Sequence, residues 1–142
     1  LMGLGKPVSN EKDAVERAID LKMSKSKPET AIFMDDSEEE IKSKINKAYC
    51  PEKTIEENPV LEYCKYIVFE KFKAMEIKRP EKFGGNISYS DYNQLETDFA
   101  KKKLHPVDLK QTVGNYLVKT ISLIRKKLNL SEELYEAIKK SY

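Results

Sequence analysis

The chain has 142 residues and a mass of 16.4 kDa, enough for one domain that buries about 68% of the surface its unfolded form exposes. Charged residues make up 35% and apolar residues 39%, with five Gly and six Pro, which excludes collagen-like, mucin-like and fully disordered classes. The longest apolar runs are short, as in Tyr66-Ile67-Val68-Phe69, which excludes a membrane-spanning helix and a signal-peptide core and leaves the cytoplasm as the expected compartment. Cys50, Cys64 and the lone His105 lack zinc-ligand spacing, so no metal site is expected and both thiols are read as reduced. The first residue is Leu1 and no basic stretch follows it, so we expect the chain to begin inside a longer protein.

In chain order, Asn10 precedes a stretch with apolar residues at 14, 15, 18 and 19, which predicts a short helix ending before Pro28. Lys22 to Lys27 has no hydrophobic period and reads as an exposed loop, followed by a short extended stretch over residues 31–34. Ser37 with Glu40 is a capping box, and Ile41, Ile45, Ala48 and Tyr49 fall on one face of a helix that Pro51 ends. Asn58-Pro59 opens a second helix whose stripe is Leu61, Cys64, Ile67 and Val68, running to about residue 69.

Met75 and Ile77 on one side of Pro80…Gly84-Gly85, with Ile87 and Tyr89 on the other, predict a small hairpin with a long irregular connection. Ser90 is expected to cap a helix carrying Tyr92, Leu95 and Phe99. Pro106 starts the longest element, in which Leu109, Val113, Tyr116, Leu117, Ile121, Ile124 and Leu128 keep a helical period. Ser131 caps a final short helix with Leu134 and Ile138 inward. The fold class is mostly α: a bundle of five to six helices with one small β-hairpin, without internal repeats.

Charge is unevenly placed. Residues 1–64 hold 10 basic and 14 acidic side chains, whereas residues 65–127 hold 14 basic and 7 acidic. A basic segment within a near-neutral chain is the footprint of a polyanion-binding surface, and equally of a solvated lysine-rich face.

Lys22-Met23-Ser24-Lys25-Ser26 carries the first chemistry. Two ammonium groups flanking small hydroxyl residues can neutralise charge on a triphosphate and its leaving pyrophosphate. Such a run is also what a flexible linker looks like. Phe83 stands before two glycines, where an aromatic ring can present its face to a base or anchor the hairpin in the core. His105 precedes Pro106, at a helix start where imidazole can stack on a base or simply cap. Asp108 lies in the first turn, where a carboxylate can read a base or merely complement the helix dipole. Lys101-Lys102-Lys103 and Arg125-Lys126-Lys127 can face solvent under either reading.

Letter for letter, Lys22-Met23-Ser24-Lys25-Ser26 matches the signature of class I aminoacyl-tRNA synthetases. Four further blocks resemble the archaeal and eukaryotic type of tyrosyl-tRNA synthetase and fall in that family's order: 32–37, Lys47-Ala48-Tyr49-Cys50-Pro51, Lys78-Arg79-Pro80-Glu81-Lys82-Phe83-Gly84-Gly85 and Leu104-His105-Pro106-Val107-Asp108-Leu109-Lys110. The similarity covers roughly 22–128. Residues 70–76 depart from the family pattern, and an extra capped helix follows Leu128.

The resemblance implies that Lys25, assisted by Lys22, stabilises the transition state of tyrosine activation, with Lys22, Met23, Ser24, Lys25 and Ser26 at ATP. It implies that Phe83 and His105 stack around the first anticodon base while Asp108 reads it. Lys101, Lys102 and Lys103 are expected to meet the tRNA backbone. Residues 1–36 would be the C-terminal edge of a catalytic domain and 37–142 a helical anticodon-binding domain. The partners implied are tRNA(Tyr), with ATP, magnesium and tyrosine for the whole enzyme, which would pair as a homodimer through a catalytic domain outside this chain. The 142-residue chain alone is expected to bind no cofactor and to be inactive. The alternative is a stand-alone helical RNA-binding module; a helical protein-interaction domain would show no RNA affinity at all.

Overall fold

The computed structural model describes residues 1–7, 14–128 and 132–141. Helix α1 (Ala14–Leu21) leads to a 3₁₀ turn at Pro28–Thr30 and helix α2 (Glu38–Lys47). A second rod is built from α3 (Pro59–Tyr63), a π-helical turn (Cys64–Val68) and α4 (Phe69–Lys71). Strands β1 (Met75–Ile77) and β2 (Ile87–Tyr89) pair antiparallel, with Met75 opposite Tyr89 and Ile77 opposite Ile87. Helices α5 (Tyr92–Ala100), α6 (Pro106–Leu128) and α7 (Glu132–Lys140) complete the order.

Local chemistry explains most of these boundaries. The Ser37 side chain accepts from Glu40 N while the Glu40 carboxylate accepts from Ser37 N at 2.7 Å, the reciprocal pair expected of a capping box. That hydrogen bond holds the Glu40 carboxyl below its usual range. Asn58 Oδ1 accepts from Val60 N and Leu61 N, with Pro59 at the first helical position, where its missing N–H costs nothing.

The core is one cluster. Along α6, Leu109, Val113, Leu117 and Ile121 recur every four residues and are all buried, facing Ile41 and Ile45 of α2. Tyr63, Met75, Leu95 and Phe99 close the other side, and Leu4 from the N-terminal segment enters the same cluster. Thr112 and Thr120, buried on α6, donate to the carbonyls of Asp108 and Tyr116 one turn back, so neither hydroxyl is orphaned. No helix of the described residues is long and apolar enough to cross a membrane.

Several sequence expectations are corrected. Asp91, not Ser90, caps α5: its extended backbone lets Oδ1 accept from Gln94 N at 3.0 Å, and a carboxylate there also complements the helix dipole. Ser90 stands one residue too early. Helix α2 ends at Lys47, so Ala48 and Tyr49 are not on its face; Ala48 is extended and Tyr49 N–H donates to Leu4 O at 2.8 Å, so the chain leaves the helix three residues before Pro51. The second helix, expected to run to about residue 69, ends at Lys71, in line with the expectation; its π turn, closed by Phe69 N–H on Cys64 O, absorbs an extra residue without breaking the rod.

The apolar stripe of α1 faces outward, with Val15 70% and Ile19 67% exposed, because α1 is held through its other face by the Arg17–Glu57 ion pair. Leu134 is 49% exposed and not inward; Ile138 is half-buried. The caps expected at Asn10 and Ser131 lie outside the described residues.

Candidate nucleic-acid interface

Two places carry the sequence-predicted residues. The first is the loop after α1. Lys22 bridges Met2, Gly3 N–H donates to Leu21 O, and Met23 N–H donates to Leu1 O, so the loop departs from a short ladder with the N-terminal segment. Ser24 and Ser26 hydroxyls lie 2.8 Å apart, and Ser26 N–H donates to Ser24 Oγ, folding the loop into a tight turn. Met23 packs against the core, while Lys22 and Lys25 are exposed. The hydroxyls therefore shape the turn and the ammonium groups stand outside it, an arrangement suited to electrostatic work on a polyanion.

The second place is a cavity of about 460 Å³ between the hairpin connection and the start of α6, lined by Arg79, Phe83, Lys102, Lys103, His105, Val107 and Asp108. Phe83, 61% exposed, ends a 3₁₀ turn and is followed by Gly84 and Gly85 at φ +102° and +70°. These backbone angles are ones that L side chains rarely adopt. A Cβ on Gly84 would also come within 3.0 Å of the Arg79 guanidinium. Both glycines thus turn the chain, and Gly84 also makes room for Arg79, while the Phe83 ring stays outside the core.

His105 sits at the mouth of α6. Its Nδ1 accepts from Val107 N–H at 3.2 Å and its carbonyl accepts from Leu109 N–H at 3.1 Å, so the imidazole is the helix cap. With Nδ1 accepting, Nε2 is the protonated nitrogen of the neutral ring and faces Glu52 at 3.5 Å. Asp108 is half-buried in the first turn of α6, three residues on. The structure therefore brings Phe83, His105 and Asp108, separated by 22 and 3 positions, around one space.

The lysine run is less uniform than its sequence. Lys102, at φ +62°, pairs with Glu52 at 3.2 Å, and Lys103 lies 3.8 Å from Asp98, whose other oxygen accepts from the Tyr89 hydroxyl at 3.0 Å. Burial, then the Asp98 carboxylate, pushes the Tyr89 phenol well up. Sequence reasoning gave no role to Arg79, Glu52 or Val107. Arg79 belongs to a family-like block, and its place beside a Pro…Gly-Gly turn is the signal that could have flagged it. Among the described residues no cluster of metal-ligating side chains is present.

These features define a class. Residues 6–122 match the model for tRNA synthetases class I (W and Y), and the chain belongs to that family. Among relatives, it is 42% identical over 134 residues to the tyrosine–tRNA ligase of Pyrococcus furiosus, covering 94% of this chain and 36% of the relative. It is 45% identical over 120 residues to that of Thermococcus kodakarensis, covering 84% and 32%. The crystal structure of tyrosyl-tRNA synthetase from Pyrococcus horikoshii complexed with L-tyrosine superposes with a TM-score of 0.79 at 39% identity, covering 96% of this chain and 39% of that one. The chain spans about a third of the length of the relatives it matches.

Proposed function

We propose that the chain is the C-terminal part of a tyrosine–tRNA ligase, with residues 1–36 the edge of the catalytic domain and 37–142 the anticodon-binding domain. The whole enzyme joins tyrosine to tRNA(Tyr) in two steps, adenylate formation from tyrosine and magnesium-ATP and then acyl transfer, and pairs as a homodimer through its catalytic domain. Lys25, with Lys22, neutralises charge developing on the triphosphate; an ammonium at an exposed turn acts by electrostatics, not proton transfer. Met23 anchors that turn, and Ser24 and Ser26 shape it around the phosphates.

The observation that carries the anticodon reading is the convergence of Phe83, His105 and Asp108 on one cavity. The first anticodon base of tyrosine tRNAs is guanine, whose Watson–Crick edge offers two adjacent N–H donors to a single carboxylate. Asp108 is held by the rigid first turn of α6, and the exposed faces of Phe83 and His105 supply stacking, worth about 1 to 3 kcal/mol per base. Lys102 and Lys103 line the cavity and Lys101 precedes them at the end of α5, and the three meet the backbone of the same strand.

The test is binding of this chain to hairpin RNAs carrying the tyrosine anticodon loop with guanine or adenine at the first position. Asp108→Ala should cost about 1 to 3 kcal/mol against guanine and much less against adenine. Equal losses on both would make Asp108 a helix-end residue and overturn the assignment.

A further inference from the structure

Arg79 is half-buried between two turns that are far apart in sequence. Its Nε donates to Gly85 O at 2.6 Å, its Nη1 donates to Lys103 O at 2.7 Å, and its backbone N–H donates to Asn86 Oδ1 at 3.1 Å. One planar guanidinium therefore ties the turn that carries Phe83 to the turn that leads into His105. The β1–β2 ladder is only three residues long on each strand and ends before the connection reaches Phe83. Gly84 and Gly85 give that connection no side chains with which to pack. Lys102, at positive φ, holds the opposite turn, with Lys103 N–H on Asp98 O at 2.9 Å.

We propose that Arg79 is a positioning residue of the base-binding cavity: it fixes the separation of Phe83 and His105 by clamping the carbonyls of Gly85 and Lys103. The proposal rests on the reading of this cavity as a base site. Its physical basis is the fork of guanidinium donors, which spans two carbonyls at once. An ammonium is a point donor on a flexible stem and cannot hold both in the same plane. The side-chain hydrogen bonds of Arg79 among the described residues go to carbonyls, not to carboxylates, so its positive charge also remains available to the strand. Charge and geometry are thus separable by substitution.

The experiment compares wild type, Arg79→Lys and Arg79→Ala in two measurements. In amide hydrogen exchange, both variants should speed exchange at Gly84, Gly85 and Lys103 by about tenfold or more, while Val113 and Leu117 in the middle of α6 stay unchanged. In binding to the guanine and adenine hairpins, both variants should lose about tenfold of the guanine preference, with the salt dependence kept in Arg79→Lys. Full guanine preference in Arg79→Lys would show a charge contribution alone and overturn the clamp. Unchanged exchange at the two turns would overturn it equally. If wild type itself shows no guanine preference, the base reading fails, and exchange alone then decides whether Arg79 clamps the turns.

Discussion

Arg125 Nε donates to the carbonyl of Met34 at 2.6 Å across 91 positions of sequence, and its Nη2 donates to the carbonyl of Asp36. The last turn of α6 thereby grips the segment that links the Lys22–Ser26 loop to α2. Asp36, buried, accepts from Phe33 N–H at 2.9 Å and pairs with Lys44 at 2.7 Å, while the Lys44 ammonium lies over the Phe33 ring. Because α6 begins at Pro106, next to His105, one helix of 23 residues joins the cavity to this junction.

Arg125→Ala should therefore destabilise the chain by about 1 to 3 kcal/mol, the range for hydrogen bonds made by a charged donor to groups partly withdrawn from water. Arg125→Lys should recover less than half of that, since a lysine reaches one carbonyl at best. Urea unfolding followed by circular dichroism measures both. An Arg125→Ala midpoint indistinguishable from wild type would mean that the junction is held by Asp36 and Lys44 without it.

His105 performs two tasks that substitution can divide. As the cap of α6 it contributes about 1 kcal/mol to stability, a role that asparagine fills well; as an exposed ring it can stack, which asparagine cannot do. His105→Asn should keep the thermal midpoint within a few degrees of wild type and weaken hairpin binding about fivefold or more, irrespective of the first base. His105→Ala should lose both. Retained RNA affinity in His105→Asn would confine this side chain to capping.

Much of the fold is written locally. Ser37 with Glu40, Asn58-Pro59 and the four-residue period of α6 each act within one or two turns, so the sequence alone predicts them. Asp91 shows how close the limits are: Ser90 and Asp91 are both good caps, and only the backbone angles decide between them. The π turn at Cys64–Val68 has no residue signature. Phe83, His105 and Asp108 were legible through their resemblance to a family, but Arg79 and Arg125 were not, because each bonds backbone carbonyls whose approach depends on the whole packing. The stripe of α1 follows the helical period, yet Val15 and Ile19 are exposed. Periodicity reports an amphipathic helix without reporting which face is covered.

The thiols give a pH-dependent test of the core. Burial pushes Cys50 up, opposed in part by the hydrogen bond from Asn58 Nδ2 at 3.4 Å; burial, then the neighbouring Cys50, pushes Cys64 up much further. A raised folded value means that the native chain disfavours the thiolate. Its stabilising contribution is whole below the unfolded thiol value of about 8.5 and is lost progressively as pH rises above it, because only the unfolded chain ionises there. Disulfide-exchange labelling at mildly alkaline pH should be slow in native protein and fast in urea, and native stability should decline above that pH. Rapid native labelling of Cys64 would show that this part of the core opens far more readily than its packing implies.

The lysine run offers the last test, since the three side chains start from different states. Lys102 and Lys103 already face Glu52 and Asp98, whereas Lys101, at the end of α5, is exposed and has no carboxylate within ion-pair distance among the described residues. Exposed pairs of this kind are worth only about 0 to 1 kcal/mol, so a phosphate can displace the carboxylate, but the displaced Glu52 or Asp98 then repels the strand. Each lysine that meets a phosphate contributes about one unit to the slope of log affinity against log salt. Lys101→Ala should therefore lower the slope by about one, and Lys102→Ala and Lys103→Ala by less each, with losses equal for guanine and adenine hairpins because phosphate contacts carry no sequence information. Glu52→Gln should do the opposite: freeing Lys102 and removing a negative charge beside His105, it should tighten binding at low salt and steepen the slope. Titrations of each variant at several salt concentrations read all four effects. A Glu52→Gln variant that binds no more tightly than wild type would place the strand away from Lys102 and end the case for this run as the backbone contact.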